Sequence, residues 1–303
     1  MVDEPRSLSF VVSGGEAGQR IDRVLVTRAS GWGRRRAARL FESGGVTIDG
    51  RPARKGDVVR AGQQVVARLA ERPAPAPAAS LETCLVTRDV VIVDKPWGMP
   101  SAPLPTSSAA DVATTLVARF PEMANVGYGP REPGLVHRLD TFTSGLLLAA
   151  RSMEAFSTLR RALGQGRLRK RYLCVVEAHG LAEAASIDQP LKPHPKNKQK
   201  VVVDPNGRIS KTSYRIAERH GWLVLLEVRA GAAYRHQVRV HLASIGHPLI
   251  GDRLYGGAST PLLAAGRHAL HASYLACKEP GVDPFEVRAP LPEDMRRLLL
   301  AAD

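Results

Sequence analysis

The sequence predicts a fold with many strands and few long helices, in two parts, a small N-terminal domain and a larger C-terminal one. Short strand-like apolar runs recur along the chain, whereas helical patterns are few and short. Proline alternates with alanine within residues 71–80, which predicts an extended, semi-rigid linker between the two parts. A length of 303 residues agrees with one large domain and one smaller one.

An excess of basic residues indicates a polyanionic partner. Lysine and arginine number 43 against 29 acidic residues, a formal net charge of +14. Because the sequence has no run of about 18 apolar residues, nucleic acid is favoured over a membrane. The N-terminus has no secretory pattern, and three widely spaced cysteines suit a reducing compartment, so we expect a cytoplasmic protein.

The first seventy residues predict a small α/β domain with a basic face. Residues 1–17 hold one apolar run, a strand or a tail, and residues 18–70 combine helical spacing with strand-like runs at 46–48 and 65–67. Between residues 18 and 69, 12 basic residues face four acidic ones. A predicted helix at 34–42 carries a cluster of arginines, Arg34, Arg35, Arg36 and Arg39. These side chains would contact RNA phosphates; the alternative is a solvated charged face.

The larger domain, residues 81–303, is centred on a charged tetrapeptide that ends at Asp140. His137-Arg138-Leu139-Asp140 stands between a Pro-Gly turn and an apolar run at 146–150 that predicts a buried strand. An aspartate beside the core needs a nearby guanidinium to remain ionised, and a positioned carboxylate can act as a nucleophile. The alternative is a structural ion pair between Arg138 and Asp140.

A basic segment and a strand follow. Ser152 is placed to cap a helix, after which Lys170 belongs to a basic run that leads into a strand opened by Tyr172. Tyr172 is either a cross-strand aromatic or a platform for an unstacked base. From Arg160 to Arg215 there are 13 basic and four acidic residues, which predicts a second basic surface or a solvated hairpin.

The third polar stretch runs from His236 to His247. Alternation within 237–242 predicts a strand with Gln237, Arg239 and His241 on one face. The histidine spacings match no common zinc pattern, so no metal is expected. The terminal residues 293–302 predict a helix.

Several ordered motifs resemble the RluA family of RNA pseudouridine synthases, which turn uridine into its carbon-linked isomer. They are Lys95-Pro96-Trp97-Gly98, His137-Arg138-Leu139-Asp140 with Thr143-Ser144-Gly145, Lys170-Arg171-Tyr172-Leu173, and His236-Gln237-Val238-Arg239 with Gly246-His247-Pro248. Residues 18–70 resemble the RNA-binding module named for the fourth small-subunit ribosomal protein, here called S-four-like. The resemblance implies an α+β fold, with a catalytic domain built on a mixed, largely antiparallel sheet.

The same resemblance implies roles for the residues of the site. Asp140 would attack as the nucleophile, at the uracil ring or at the ribose anomeric carbon, and Arg239 would be its salt-bridge partner. Tyr172 would stack on the uracil and assist proton removal, and Arg138 would fill the space left by the flipped base. Further RNA contacts are expected from His137, Lys170, His236 and Gln237. No cofactor is expected, and the partner would be ribosomal RNA, with transfer RNA second, bound by a monomer.

The stretch 232–235 departs from the family pattern, which usually reads Thr-Gly-Arg-Thr before His-Gln. Ala232-Ala233-Tyr234-Arg235 stands there instead. This departure favours a second hypothesis, an RNA-binding or ribosome-assembly protein that keeps the fold as a scaffold. A third hypothesis, a metal-dependent RNA hydrolase that uses the histidines, ranks last.

Overall fold

The chain divides into two units, Met1–Ala74 and Pro75–Asp303. The structure, a computed structural model, describes residues 7–28, 40–41, 45–68, 81–104, 110–231 and 234–303. The predicted linker at 71–80 lies outside the described residues, as does most of the predicted basic helix with Arg34, Arg35, Arg36 and Arg39.

The smaller unit contains a four-stranded antiparallel sheet in the order β1-β4-β2-β3. Its elements are β1 (Ser7–Val11), α1 (Ile21–Arg28), β2 (Val46–Ile48), β3 (Arg51–Pro52) and β4 (Gln64–Arg68). The apolar run within residues 1–17 is therefore a strand rather than a tail. Asp49 and Gly50 both have positive φ, 51° and 76°, as the tight turn between β2 and β3 requires.

The larger unit is built on a nine-stranded sheet. Its strands are β5 (Glu82–Val86), β6 (Val90–Lys95), β7 (Ser144–Ala150), β8 (Arg169–Glu177), β9 (Ala184–Asp188), β12 (Lys211–His220), β13 (Leu223–Ala230), β14 (Leu270–Cys277) and β15 (Phe285–Arg288). The order is β5-β6-β7-β14-β8-β13-β12-β9, with β15 also paired to β14. Among these pairs β7 and β14 run parallel and the others antiparallel, which confirms the mixed, largely antiparallel sheet. A separate antiparallel pair consists of β10 (Leu191–Pro193) and β11 (Val201–Val203).

The described residues of the larger unit include the helices α2 (Val112–Arg119), α3 (Met153–Gly164), α4 (Gln237–Ser244) and α5 (Glu293–Leu300). Ser152 caps α3 as predicted, because its side chain accepts the backbone N–H of Ala155. The predicted C-terminal helix is confirmed as α5. No helix within the described ranges has the length and apolar character needed to cross a bilayer.

The strand predicted at 237–242 is wrong, because these residues form helix α4. Every residue from Gln237 to Leu242 is buried, so this part of the helix has no solvent-exposed face. A helix buried all round lacks the polar stripe that reveals a period of 3.6 residues. The polar side chains of this helix form hydrogen bonds inside the protein. Their alternation with valine along the sequence matches the period of two residues that is typical of a strand.

The join between β7 and β14 depends on a glycine. Gly145 has φ of 111°, and a Cβ there would lie 2.5 Å from the backbone nitrogen of Ala272 and closer still to its carbonyl oxygen. Only glycine permits this approach without strain. The join brings the start of β7, and the turn that precedes it, against β14.

Arg267 fastens the same join from inside the protein. The side chain is fully buried, and Nη1 donates to the carbonyl oxygens of Phe142, His268 and Leu270 at 2.8 to 2.9 Å. Its Nη2 donates to Ser144 Oγ at 3.0 Å, and its Nε pairs with Asp294 at 2.9 Å. One guanidinium thus ties the turn before β7 to the segment before β14 and to α5.

Candidate active site

Asp140 lies in a tight turn that enters β7. The N–H of Thr143 donates to the Asp140 carbonyl oxygen at 3.0 Å and closes the turn. The Thr141 carbonyl oxygen accepts from the Gly98 N–H at 2.8 Å and from Lys95 Nζ at 3.1 Å. The backbone that carries Asp140 is therefore held by the segment that follows β6.

Ser101 holds the residue before Asp140. Its hydroxyl donates to the Leu139 carbonyl oxygen at 2.7 Å and accepts the Leu139 N–H at 3.0 Å. Lys95 is fully buried, and besides Thr141 its ammonium donates to the carbonyl oxygens of Pro96 and Met99 at 3.0 and 2.8 Å. These contacts make Lys95 and Ser101 supports of the turn.

Arg239 connects Asp140 to a second, buried carboxylate. Nη1 donates to Asp140 Oδ2 at 2.9 Å, while Nε and Nη2 donate to the two oxygens of Asp252 at 2.6 and 2.8 Å. Burial lowers the pKa of Arg239, but the hydrogen bonds and charges of Asp252 and Asp140 outweigh it, so the pKa lies above its ordinary value. The arginine is a permanent cation beside the Asp140 carboxylate.

His236 approaches Asp140 from the start of α4. Its backbone is left-handed, with φ of 58°, and Nε2 lies 3.7 Å from Asp140 Oδ2. The other ring nitrogen, Nδ1, lies 2.9 Å from the Tyr255 hydroxyl. Burial lowers the pKa of His236 and the Asp140 charge opposes that effect, so the neutral imidazole is favoured at neutral pH.

Tyr172 lies in the same pocket as Asp140. The pocket is lined by Arg138, Leu139, Asp140, Thr143, Lys170, Tyr172, Ala230, Tyr234, His236, Gln237, Val238, Arg239 and Leu270. Only 8% of Tyr172 is exposed, and burial together with the Asp140 charge raises its pKa to about 12. The hydroxyl is therefore protonated at neutral pH, and the ring supplies one wall of the pocket.

Arg138 does not pair with Asp140, so the structural ion pair considered for these two residues is absent from the described part of the chain. Its Nη1 contacts Glu132 Oε1 at 2.6 Å, and 57% of its side chain is exposed. Asp140 instead pairs with Arg239, 99 positions further along the chain.

Three of the predicted RNA-contacting residues are buried. His137 accepts the Leu148 N–H at 3.3 Å through Nε2, and burial lowers its pKa to about 3. Gln237 donates to the Lys211 carbonyl oxygen at 2.9 Å and to Thr212 Oγ1 at 3.1 Å. These two side chains hold neighbouring backbone in place.

Lys170 is the third. Its side chain borders the pocket, but Nζ is buried and has no hydrogen-bond partner among the described residues. Burial, reinforced by the charge of Arg160, lowers its pKa to about 8.

The three histidines of the predicted third stretch do not converge. His241 contacts Thr212 Oγ1 and the Gln189 carbonyl oxygen, at 2.8 and 2.9 Å, whereas His247 contacts the Glu177 carbonyl oxygen at 3.2 Å. Within the ranges that the structure covers, no group of three or more His, Cys, Asp or Glu side chains could hold a metal ion.

Residues 232–235, which depart from the family pattern, are described in part. Ala232 and Ala233 lie outside the described residues. Arg235 Nη2 donates to the carbonyl oxygens of Lys198 and Lys200 at 2.9 and 3.0 Å. This arginine therefore attaches the start of α4 to the loop before β11.

Sequence reasoning missed the roles of Asp252 and Tyr255. Neither residue is singled out by the sequence patterns described above. The signal was the spacing Gly251-Asp252 followed by Tyr255, a short turn in which both side chains can reach α4.

The larger unit thus combines a mixed, largely antiparallel sheet with a pocket that holds an arginine-paired carboxylate. The chain belongs to the RNA pseudouridylate synthase family, because residues 89–244 match the model of that family. It is therefore an RNA pseudouridine synthase, an isomerase.

Relatives of known name align along nearly the whole chain. Ribosomal large subunit pseudouridine synthase D of Xanthomonas campestris is 34% identical over 307 residues, covering 96% of this chain and 91% of the relative. An RNA pseudouridine synthase of Chloroflexus aurantiacus is 35% identical over 296 residues, covering 95% and 92%. The solved structure of human RNA pseudouridylate synthase domain containing 1 has a TM-score of 0.58 at 22% identity, covers 76% of this chain and 97% of its own, and supports the fold.

Proposed function

We propose that the protein isomerises specific uridines of large-subunit ribosomal RNA to pseudouridine, with Asp140 as the nucleophile. The observation that carries the proposal is the pair between Arg239 and Asp140, 2.9 Å apart in a pocket that Tyr172 also lines. The substrate is inferred from relatives named as ribosomal large subunit pseudouridine synthases.

The chemistry needs an ionised carboxylate and no external reactant. The bond between C1′ and N1 breaks, a bond between C1′ and C5 forms, C5 loses a proton and N1 gains one, so the change is an isomerisation. Asp140 adds to the nucleotide to release the uracil and leaves again when C5 is joined. Arg239 Nη1 donates to Asp140 Oδ2 at 2.9 Å and so holds the carboxylate in place beside a permanent cation. With 24% of its side chain exposed, Asp140 is accessible to a nucleotide.

Tyr172 would hold the uracil by stacking. A target uridine must leave its helix, at a cost of a few kcal/mol, and an aromatic ring offsets part of this cost. Its pKa of about 12 makes the hydroxyl a poor base at neutral pH, so we assign Tyr172 to stacking rather than to removal of the C5 proton.

Arg138 would contact the RNA directly. Its side chain is 57% exposed at the pocket and pairs with Glu132, itself 43% exposed, in a weak surface ion pair. The guanidinium can therefore leave Glu132 and either bind a phosphate or fill the space left by the flipped base. We assign His137, Lys170 and Gln237, which are buried, to support of the pocket wall, and His236 to the Asp140 side of the pocket.

The smaller unit would act as an S-four-like RNA-binding module. Its described residues include an α-helix and a four-stranded sheet, and its sequence carries the basic cluster Arg34, Arg35, Arg36 and Arg39. Such clusters supply non-specific phosphate contacts that hold RNA while the catalytic unit selects a uridine. The expected compartment is the cytoplasm, because it contains RNA and because its reducing conditions suit three free cysteines.

Site-resolved pseudouridine mapping of RNA from cells that lack the gene tests the proposal. Complementation with the native protein should restore one or a few sites in large-subunit ribosomal RNA, and Asp140→Asn should restore none. Asp188→Asn is the matched control, because Asp188 is exposed on β9. Restoration of these pseudouridine sites by Asp140→Asn would refute the role of Asp140 as the nucleophile. An unchanged map together with tight RNA binding would favour a non-catalytic RNA-binding protein.

A further inference from the structure

Tyr255 contacts both groups that reach Asp140. Its hydroxyl lies 2.9 Å from His236 Nδ1 and accepts the N–H of Val201 at 2.9 Å. The guanidinium of Arg239 lies over its ring, 5.1 Å from the centroid. One tyrosine outside Asp140's own contacts therefore supports the imidazole and the guanidinium together.

The hydroxyl also decides which nitrogen of His236 carries the proton. Because its oxygen already accepts from Val201, its own hydrogen is free to be donated to Nδ1. The proton of the neutral imidazole then resides on Nε2, the nitrogen 3.7 Å from Asp140 Oδ2. The opposite tautomer would point a lone pair at an ionised carboxylate and is disfavoured.

The guanidinium of Arg239 and the imidazole of His236 both approach the same oxygen of the Asp140 carboxylate. Arg239 Nη1 and His236 Nε2 lie 2.9 and 3.7 Å from Oδ2 of Asp140. Neither of these two contacts engages Oδ1, so neither group blocks that oxygen from forming a bond. Orientation of a nucleophile in this way lowers the barrier of the chemical step more than it strengthens binding of the substrate.

We propose that Tyr255 is a positioning residue of the reaction, which fixes the Nε2–H tautomer of His236 and the place of Arg239 so that Asp140 presents Oδ1 to the uridine. The inference rests on the proposed function of Asp140. It adds to that function a residue that touches neither the substrate nor the nucleophile.

Two substitutions of the same kind test the proposal. Tyr255→Phe removes the hydroxyl and keeps the ring beneath Arg239. Tyr274→Phe is the matched control, because Tyr274 also has guanidinium groups over its ring, those of Arg171 and Arg288 at 4.7 and 5.0 Å. The probe is large-subunit ribosomal RNA isolated from a strain that lacks the gene.

Tyr255→Phe should lower kcat roughly tenfold with little change in KM, as loss of one positioning hydrogen bond predicts. Tyr274→Phe should keep the native kcat. His236→Gln, whose amide can donate to Asp140, should retain more activity than His236→Leu. Equal kcat for Tyr255→Phe and the native enzyme would overturn the inference while the proposed function stands, whereas a native protein with no activity on this RNA would overturn the proposed function itself.

A spectroscopic readout separates positioning from a general structural effect. In protein with ¹⁵N-labelled histidine, the His236 ring signals, assigned by their loss in His236→Gln, should report the Nε2–H tautomer. Tyr255→Phe should shift them toward a mixture of tautomers, and Tyr274→Phe should leave them unchanged. An unaltered tautomer in a folded Tyr255→Phe protein would overturn the inference, whatever the effect on rate.

Discussion

Asp252 holds Arg239 by two parallel hydrogen bonds, of 2.6 and 2.8 Å, in a site where 1% of the aspartate and 8% of the arginine side chain are exposed. A guanidinium fixed in this bidentate way has one edge left, and Asp140 occupies it at 2.9 Å. The position of the proposed nucleophile therefore depends on a carboxylate that never meets the substrate.

Asp252→Asn should destabilise the protein and lower its activity. The substitution keeps the size of the side chain but removes the charge that balances a buried arginine, and breaking a buried pair costs about 3–5 kcal/mol. Urea unfolding measures this loss. Asp22→Asn, which breaks an exposed pair with Arg20, should cost under about 1 kcal/mol, and equal losses in the two variants would contradict the anchoring role.

Gly145→Ala should destabilise the join between β7 and β14. The positive φ and the close Ala272 backbone together predict a loss of at least about 2 kcal/mol, measured by thermal unfolding. Gly164→Ala is the control, since Gly164 ends α3 with open space around it and should gain about 0.5 to 1 kcal/mol. If Gly145→Ala leaves the stability unchanged, β7 and β14 can move apart at little cost in free energy.

Arg267→Lys should cost about 2–4 kcal/mol of unfolding free energy, although the charge is kept. An ammonium has three donors on a flexible stem and cannot span the three carbonyl oxygens, Ser144 and Asp294 that the guanidinium reaches. In Arg296→Lys, at an exposed pair with Glu293, the change should be within about 0.5 kcal/mol. If the two variants unfold alike, the fork geometry of Arg267 is irrelevant.

Lys170→Met should stabilise the protein in a way that depends on pH. The pKa of Lys170 is about 8 in the folded protein against 10.5 for the free side chain, so the unfolded chain holds the proton more firmly. Below pH 8 both states are charged and the folded state bears the full penalty, which fades as the pH rises from 8 toward 10.5. The gain from Lys170→Met should therefore be about 2–3 kcal/mol at pH 7 and shrink by pH 10.

Urea unfolding of the native protein and the variant at pH 7, 8.5 and 10 measures this dependence. Lys278→Met provides the control, because Lys278 is exposed and its substitution should give a difference that does not vary with pH. If Lys170→Met raises the unfolding free energy by the same amount at all three pH values, burial does not lower the pKa of Lys170.

Local patterns predicted much of the scaffold. The apolar run at 146–150 became β7, and Ser152 caps α3, because each of these features is set by nearby residues. Helix α4 was missed since complete burial removed its periodic signal.

The site was predictable only through the family resemblance. Nothing in local spacing joins Arg239 to Asp140, which are brought together by the whole sheet, and the resemblance supplied that pair. Tyr255 had neither a local pattern nor a motif role, and its position became evident only once the loop after Asp252 was seen to fold back on α4.

The place of β14 in the sheet also governs when the enzyme can begin to work. β7 and β8 follow each other along the chain, yet β14 lies between them, so residues 178–269 leave the ribosome while both strands still lack a neighbour. Such open edges delay folding and invite wrong pairing during synthesis. Because the turn of Asp140 is fastened by Arg267 just ahead of β14, we expect that a nascent chain cannot modify RNA until Arg267 and β14 have both emerged.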